Sequence, residues 1–289
     1  MTGKLYREFT EIPCNQCIAC KINHSRQWIA RCLAELRYHD SAYFITLTYN
    51  NDNIPTKINT TSEGIIAEIG TLQKKDLQDF WKRLRKKHKC RYYAVGEYGS
   101  KSMRPHYHAI VFGLELNDLE FYKRNYNNDN LYTSKKLEKI WGKGFVTVGE
   151  VNAQTIGYTA RYCMKKLKDD DLARYIEHVG IEAPFMVCSQ GLGKQYYDDN
   201  KESLLEYGEM IIEDKEGGKR YGLPRYYKNR LENDYSQKYE MSKEHKAEIF
   251  RKAERNLLRE IGKSREDYLK DEERRNKIKA DKLRRDNVE

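Results

Sequence analysis

The segment RPHYHAIVF, residues 104–112, decides how this chain is interpreted. Its aromatic and β-branched residues predict a strand, and alternate side chains of a strand point to the same face of a sheet. His106 and His108 are therefore expected side by side on one face. Two imidazoles at that separation can bind one metal ion. The plain alternative is a pair of histidines on a polar surface.

A nearby carboxylate strengthens the metal interpretation. Glu97 ends a second predicted strand, 91–97, and a hairpin of this strand with 107–112 would place Glu97 beside His106 and His108. Two imidazoles and one carboxylate suit Mn²⁺, Mg²⁺ with retained water, or Fe²⁺. The sequence therefore predicts a divalent metal site; the alternative for Glu97 is an exposed acid at a strand end.

The segments around this hairpin predict an α+β fold. The predicted strands are 43–49, 91–97, 107–112 and 144–151, the loops 50–70 and 117–130, and the helices 25–36, 77–89, 134–141 and 152–168, with Ser25 and Asn152 as N-caps. This order indicates hairpins and meanders interrupted by helices, without repeated βαβ units. We therefore predict a mainly antiparallel sheet with helices on one face and the metal site on the other, open face.

A tyrosine pair provides a second set of reactive side chains. Tyr158 and Tyr162 lie four residues apart in GYTARYCMKK, residues 157–166, so both hydroxyls are expected on one helix face, with Lys165 one turn further. Such a pair more often serves packing than catalysis. A phenol is a weak nucleophile near neutral pH, but a nearby lysine or metal ion favours the phenolate or stabilises charge on its target. Tyrosine attack on a phosphodiester is then chemically coherent.

These segments together resemble a known family. HYH at 106–108 is similar to the His-hydrophobic-His motif of the rolling-circle replication (HUH) endonucleases, the strand 43–49 to their first motif, and 158–165 to the two-tyrosine motif of phage initiators. With the cysteines of 14–20 and VGEYG at 95–99, the ordered set resembles the replication initiators of gokushovirus-type microviruses over residues 14–200.

The resemblance implies a ferredoxin-like or RRM-like palm with Mg²⁺ or Mn²⁺ on its sheet. It implies that a tyrosine nicks one strand at the viral origin, becomes joined to the 5′-phosphate and frees a 3′-OH that primes host synthesis, while the second tyrosine serves the next cleavage. The implied partners are single-stranded or origin DNA and the host replication helicase and polymerase, in the cytoplasm of a bacterial host. Position 107 is aromatic where the family has an aliphatic residue, and the loop 189–193 lacks the expected basic Pro-Gly turn.

The chain is expected to have three parts. Residues 1–42 hold a cysteine cluster and the first helix, and residues 43–200 form the HUH-type catalytic domain that the resemblance implies. The extension 201–289 ends in a stretch with interspersed charges, one glycine and no proline after residue 235. That composition predicts a solvated helix or a segment that becomes ordered on binding.

The cysteine cluster permits two interpretations. Cys14, Cys17 and Cys20 at C-x₂-C-x₂-C spacing supply three thiolates, with His24 or Cys32 as a fourth ligand. A structural zinc ion usually has four protein ligands, commonly as two pairs, and here the second pair is missing. The alternative is a set of reduced cysteines at the start of a helix. An iron–sulfur cluster is disfavoured because there is no clear fourth cysteine.

The charge balance favours a polyanionic partner. The chain has 54 Lys and Arg against 44 Asp and Glu, a net charge of +10. The candidate phosphate contacts are Arg83, Lys86, Lys87 and Lys89 in the basic run 82–91, and Arg161 and Lys166. Cations near a helix C-terminus are also favoured by the helix dipole alone.

Two other functions compete with the endonuclease. A mononuclear iron oxygenase would use Glu97, His106 and His108 as a facial triad, but leaves the tyrosine pair and the basic charge unexplained. A non-catalytic RRM-like module would bind nucleic acid, but the strands lack the RNP aromatic signature. No apolar run is long enough to span a bilayer and the N-terminus has no signal-like region, so we expect neither a membrane protein nor a secreted one.

Overall fold

The computed structural model describes residues 12–15, 17–60, 66–99, 102–125, 127–166, 170–214 and 217–285. Its strands are β1 (Ala42–Tyr49), β2 (Thr56–Thr60), β3 (Ile66–Gly70), β4 (Arg91–Tyr98), β5 (Pro105–Phe112), β6 (Leu119–Arg124), β7 (Asn130–Ser134), β8 (Gly144–Glu150), β9 (Phe185–Cys188), β10 (Glu209–Asp214) and β11 (Gly217–Gly222). Its helices are α1 (Ile18–Leu36), α2 (Lys74–Arg85), α3 (Lys135–Trp141), α4 (Ala153–Lys166), α5 (Asp170–Val179), α6 (Lys194–Tyr207), α7 (Arg225–Asp234), α8 (Ser236–Ile261) and α9 (Arg265–Arg285).

A seven-stranded antiparallel sheet organises the molecule. Its strand order is β6-β7-β8-β1-β5-β4-β9, and β2–β3 and β10–β11 form two separate hairpins. The central strand β5 pairs with β1 on one side and with β4 on the other. The α+β class and the antiparallel sheet predicted from the sequence are therefore confirmed.

The register of β5 divides its side chains between the two faces. Tyr107, Ala109 and Val111 point to one face, where they join the main core beneath α2 and α3. The apolar residues of α2 recur at helical spacing and bury that side of the helix. His106 and His108 point to the opposite face, because successive side chains of a strand alternate.

The second face of the sheet is covered in part, which corrects the prediction of helices on one face only. Ile156 of α4 and Cys32 of α1 pack against Tyr93, Val95 and other apolar residues of β4 and β5. The strands β4 and β5 are apolar on both faces, so each face needs a helix to exclude water. Towards β1 and β8 the same face stays partly accessible.

Helix α1 also contributes to a further core. Its Ala30 and Ala34 pack with apolar residues of α6, α7, β10 and β11. At this junction Gly193 has φ +76° and a β-carbon would lie 2.7 Å from the Tyr227 hydroxyl, so only glycine fits. Residue 200, where a domain boundary is predicted, lies within α6; the division into domains stays a prediction.

The C-terminal helices are highly charged. Helix α8 has 26 residues and buries none of them, in agreement with the predicted solvated helix. Within the described part of the chain, none of the helices combines the length and the apolar character of a membrane span.

Several predicted boundaries need correction. The loops predicted at 50–70 and 117–130 contain the hairpins β2–β3 and β6–β7, whose solvated strands carry the polar residues of a loop. Ser25 is a buried residue within α1, since residues 18–24 contain no helix breaker and the helix starts at Ile18. Helix α2 ends at Arg85, before 89.

Candidate metal centre

Glu97, His106 and His108 meet on the second face of the sheet, as the sequence predicts. Glu97 lies opposite His106 in the β4–β5 register, and its Oε1 is 2.9 Å from His106 Nε2 and 3.0 Å from His108 Nε2. One ligand atom from each residue lies within 4.8 Å of the other two, and all three residues are buried or nearly so. The group could therefore hold a metal ion.

The outer ring nitrogens of both histidines have partners. His106 Nδ1 is 3.0 Å from the carbonyl oxygen of Arg104, and His108 Nδ1 is 2.9 Å from Thr46 Oγ1. Phe44 stacks on the His108 ring at 5.3 Å between centroids. Such contacts fix the orientation of an imidazole and leave its other nitrogen for the ligand, as in metal sites generally.

The hydrogen bonds indicate that a cation fits here. A carbonyl oxygen only accepts, so His106 Nδ1 must donate to Arg104, which leaves Nε2 of the neutral ring as an acceptor. This acceptor faces the Glu97 carboxylate at 2.9 Å. Two acceptors approach so closely only when a proton or a metal cation lies with them. The donor set is therefore suited to a divalent ion.

The electrostatic environment of Glu97 points the same way. Burial raises the pKa of the carboxyl, but the hydrogen bonds and charges of His106 and His108 outweigh it and hold the pKa below its ordinary value. Among the described residues, the buried Oε2 of Glu97 has no hydrogen-bond partner. A buried carboxylate oxygen without a partner is costly, and a bound cation would remove that cost.

Tyr158 lies next to this centre. Its ring packs edge-on against His108 with 5.4 Å between the centroids, and against Phe44 with 6.2 Å. Asn152 Oδ1 accepts the backbone N–H groups of Gln154 and Thr155, which confirms Asn152 as the cap of α4. The cap and the packing of α4 on the sheet thus bring one predicted tyrosine to the predicted metal group.

The remaining predicted residues of α4 are only partly described. The side chains of Tyr162, Lys165 and Lys166 lie outside the described residues, although their backbone belongs to the helix. The Arg161 guanidinium lies over Gly157, 3.1 Å from the point where a β-carbon would stand. The glycine therefore makes room for this cation on the tyrosine helix.

The basic run after α2 lies apart from the metal group. Arg83 donates to the carbonyl oxygens of Ile140 and Trp141 at 2.7 and 3.1 Å, so it closes the end of α3. Lys86, Lys87 and Lys89 are exposed. They follow a helix that packs on the opposite face of the sheet and precede the end of β4 distant from Glu97. The structure does not bring these cations to the predicted centre.

The side chain of Phe145 is a neighbour of the site that the sequence does not predict. The β1–β8 register pairs it with Thr48, which pairs with His106, so all three share one face of the sheet. Phe145 is 63% exposed although it stands on a strand. Two strand spacings separate it from His106, about 10 Å. Only the pairing of distant strands reveals this neighbour; the alternation within 144–151 shows no more than a face.

The N-terminal cysteines form a second group that could hold a metal. The sulfur atoms of Cys14, Cys17 and Cys20 lie within 4.8 Å of one another at the start of α1. His24 lies one turn beyond Cys20, and its ring contacts Trp28. Cys32 is fully buried in the core under α1, so it does not serve as the fourth ligand.

Comparisons with known proteins agree on one kind of protein. Residues 42–167 match the family model of the replication-associated protein ORF2. Similar proteins are the replication-associated proteins ORF2 of Spiroplasma virus 4 (32% identity, over 94% of this chain and 84% of the relative) and ORF4 of Chlamydia phage 1 (30%, over 81% and 57%). Replication-associated protein VP4 of Bdellovibrio phage phiMH2K is 27% identical over 78% of this chain and 69% of its own length. No solved structure matches significantly.

Proposed function

This chain belongs to the gokushovirus-type family of microvirus replication-associated proteins, and we propose that it is a metal-dependent endonuclease and strand transferase acting on single-stranded origin DNA. The enzyme cuts one strand through a tyrosine, stays joined to the 5′-phosphate and later rejoins strands in rolling-circle replication of a small single-stranded DNA phage. The observation that carries the proposal is the contact of Tyr158 with His108.

Glu97, His106 and His108 hold the ion, Mg²⁺ or Mn²⁺. When bound, a divalent cation supplies Lewis-acid polarisation of a phosphate oxygen. Thr46 and the Arg104 carbonyl orient the two imidazoles through their Nδ1 atoms. A buried donor set of this kind keeps its geometry while the substrate changes, because the ligands belong to two paired strands and not to a loop.

The chemical step exchanges one phosphodiester for another. The phenolic oxygen of a tyrosine, Tyr158 or Tyr162, loses its proton and attacks phosphorus, which forms the tyrosine–phosphate bond. The bond from phosphorus to the 3′-oxygen breaks, and that oxygen takes up a proton and becomes the free 3′-OH. The reverse reaction with a 3′-OH rejoins the strand and releases the tyrosine. Lys165 stabilises charge on the phosphate.

Two tyrosines on one helix suit repeated cleavage. Residues four apart lie on the same helical face, so Tyr158 and Tyr162 reach the same region of the sheet in turn. While one carries the covalent strand, the other attacks at the next cut. Arg161 and Lys166 on the same helix add positive charge for the phosphate backbone.

The open part of the sheet provides a path for unpaired DNA. Thr46 and Thr48 of β1 lie between the metal group and Phe145 of β8, on the same face. Single-stranded DNA binds to surfaces that combine aromatic rings with nearby cations, because every base has a face that stacks. We assign Phe145 as the residue that stacks on a base about 10 Å from the cut phosphate.

The partners follow from the family resemblance. A free 3′-OH at the origin is a substrate for the host polymerase, and the displaced strand requires the host helicase. Both enzymes work in the cytoplasm of the bacterial host, where we place this protein. The RRM-like palm remains part of the same proposal.

The decisive experiment is a covalent capture. The full chain is incubated with labelled single-stranded viral origin DNA and Mn²⁺ or Mg²⁺, and the products are separated under denaturing conditions. We expect a protein–DNA adduct that peptide mapping assigns to Tyr158 or Tyr162. The double variant Tyr158→Phe/Tyr162→Phe should fold, bind DNA and form no adduct. Tyr207→Phe, which alters an exposed tyrosine of α6, should behave as the wild type.

Single variants sharpen the assignment. If the two tyrosines alternate, each of Tyr158→Phe and Tyr162→Phe still forms adduct but fails in repeated cleavage and joining. An adduct on any other residue contradicts the proposal. DNA binding without any adduct in the wild type would favour a non-catalytic module, and a strict need for iron and oxygen would favour an oxygenase; nicking with Mg²⁺ alone in the absence of oxygen counts against both.

A further inference from the structure

The first turn of α1 lacks the groups that usually stabilise a helix start. Its N-cap residue Cys17 makes no side-chain capping hydrogen bond, and the first turn contains no acidic residue. The first backbone N–H groups of a helix have no partner within the helix and are normally satisfied by a cap. Here three thiols take the place of a cap.

The thiols are gathered closely without being joined. Cys14 Sγ is 3.8 Å from Cys20 Sγ, longer than a disulfide bond, and the three sulfur atoms lie within 4.8 Å of one another. The backbone N–H of Cys17 donates to Cys14 Sγ at 3.2 Å. A backbone hydrogen bond to a ligand sulfur stabilises the thiolate form, which is the form that binds metal.

We propose that Cys14, Cys17, Cys20 and His24 bind a structural zinc ion that closes the N-terminal end of α1. Three thiolates and one imidazole are a common tetrahedral ligand set for zinc, with all four positions taken by protein. This site is independent of the proposed endonuclease chemistry, which uses oxygen and nitrogen ligands on the sheet.

His24 is the fourth ligand that the helix makes available. It lies four residues after Cys20, so both side chains are on the same face of α1, one turn apart. The other cysteines among the described residues are not suited. Burial raises the pKa of the Cys32 thiol strongly and that of Cys90 to about 11, so both stay protonated within the cores.

The position of the site explains what the ion does. Helix α1 packs on the sheet with one side and on α6 and α7 with another. Arg31 donates twice to the Leu192 carbonyl, at 3.1 and 2.9 Å, and Glu35 accepts the Gly193 N–H at 2.6 Å. A zinc ion that fixes the first turn holds the end of the helix that connects both cores.

The experiment measures the metal itself in the full chain. The sheet site is first disabled with the double variant Glu97→Gln/His106→Ala, so that only the cysteine site remains. We expect about one zinc ion per chain, and after replacement by Co²⁺ the intense sulfur-to-cobalt charge-transfer bands of a tetrahedral thiolate site. These bands do not arise from the carboxylate and imidazoles of the sheet, so a failure of the endonuclease proposal leaves the result unaffected.

Variants then identify the ligands. Cys14→Ser, Cys17→Ser and Cys20→Ser should each lose the zinc, whereas Cys188→Ser, which alters a half-buried cysteine of β9, should keep it. His24→Ala should retain the cobalt charge-transfer bands but bind zinc at least about tenfold more weakly, as expected when one of four ligands is removed. An unchanged affinity in His24→Ala overturns the fourth ligand.

Two results overturn the site as a whole. One is a wild-type chain, purified with reducing agent and supplied with zinc, that binds the metal only through Glu97, His106 and His108. The other is a Cys14–Cys20 disulfide in protein purified without oxidant, because a disulfide removes two of the thiolates. Both are read on the parent chain and its sheet-site variant, so they do not depend on the folding of the cysteine variants.

Discussion

The two faces of the hairpin β4–β5 have opposite chemistry, although they are built from alternating residues of the same strands. On the core face, the Tyr107 hydroxyl donates to the Gln73 carbonyl, accepts the Gln73 N–H and lies 2.8 Å from the Tyr49 hydroxyl. Burial raises the pKa of both phenols, so they stay protonated and act as hydrogen-bond donors. On the other face, His106 and His108 meet the ionised Glu97.

The difference shows how one short motif serves stability and chemistry together. The middle residue of HYH connects the sheet to the chain entering α2, and the two outer residues supply metal ligands. An aromatic residue at position 107, where the family resemblance leads one to expect an aliphatic one, thus has a structural reason: its hydroxyl pairs the polar backbone of Gln73. The following predictions test whether the two faces are separable.

The largest effect is expected from the histidines. His106→Ala or His108→Ala removes a metal ligand, which costs several kcal/mol of transition-state stabilisation, and cleavage should fall by at least about 1000-fold. DNA binding should change little, because phosphate contacts set the affinity. The measurement is single-turnover cleavage of origin DNA under limiting metal. Cleavage at the wild-type rate would mean that the metal group lies elsewhere.

Tyr107→Phe is the matched variant on the core face. It leaves the Gln73 backbone groups without their partner and should lower the free energy of unfolding by about 2 kcal/mol. Cleavage per folded molecule should stay near the wild-type rate. Denaturant unfolding and the same cleavage assay measure the two quantities. If Tyr107→Phe abolished cleavage in folded protein, the two faces would not be separable.

A smaller effect is expected from the group behind the metal ligands. Thr46→Val keeps the size of the side chain but removes the hydroxyl that contacts His108 Nδ1. Loss of such a support typically weakens metal affinity or activity about 10–100-fold. Titration with Mn²⁺, followed by cleavage, should show a raised metal requirement with little change at saturation. An unchanged requirement would remove Thr46 from the site.

A moderate effect on binding is expected at the open end of the site face. Phe145→Ala should weaken single-stranded DNA binding about tenfold, the value of one base stacked on an aromatic ring. Phe121→Ala is the control, since Phe121 is equally exposed but points to the opposite face. Fluorescence anisotropy with origin DNA measures both. Equal losses in the two variants would indicate general surface hydrophobicity and contradict the proposed path.

The smallest effect is expected from the distant basic run. Neutralising Lys86, Lys87 and Lys89 together should weaken DNA binding and lower the salt dependence by about 0.7 for each phosphate that these lysines neutralise in the wild type. The cleavage rate at saturating DNA should stay unchanged, because these residues lie away from the metal group. A salt dependence equal to that of the wild type would identify the run as a solvated helix end.

The sequence is most informative where period and capping chemistry agree. Alternation in 104–112 predicts the shared face of the histidines, and Ser134 and Asn152 cap α3 and α4 as their positions indicate. The same period explains why the cover on the second face is not predicted. Segments such as AVG in β4 and AIVF in β5 are apolar on both sides, which indicates a strand buried twice, yet periodicity alone does not say which helix covers it.

Other features depend on contacts that no local pattern contains. Phe145 and Thr46 become neighbours of the metal group only through the pairing of β1 with β5 and β8. The hairpin β6–β7 has the composition of a loop because its edge strand has solvent on both sides. Spacing alone makes Cys32 available to zinc, but its place in the core excludes it, since spacing does not reveal burial.

The long separation between α1 and its partners has a consequence for synthesis. Arg31 meets Leu192 across 161 residues of chain, and Gln27 meets Arg225 across 198. At ribosomal speeds of about 5–20 residues per second, α1 waits roughly 10–40 s before α6 and α7 exist to cover it. Its apolar stripe is thus exposed to chaperones for most of translation. A nascent chain released early would lack that cover, so we expect the ability to cut DNA to arrive only as the last helices are completed.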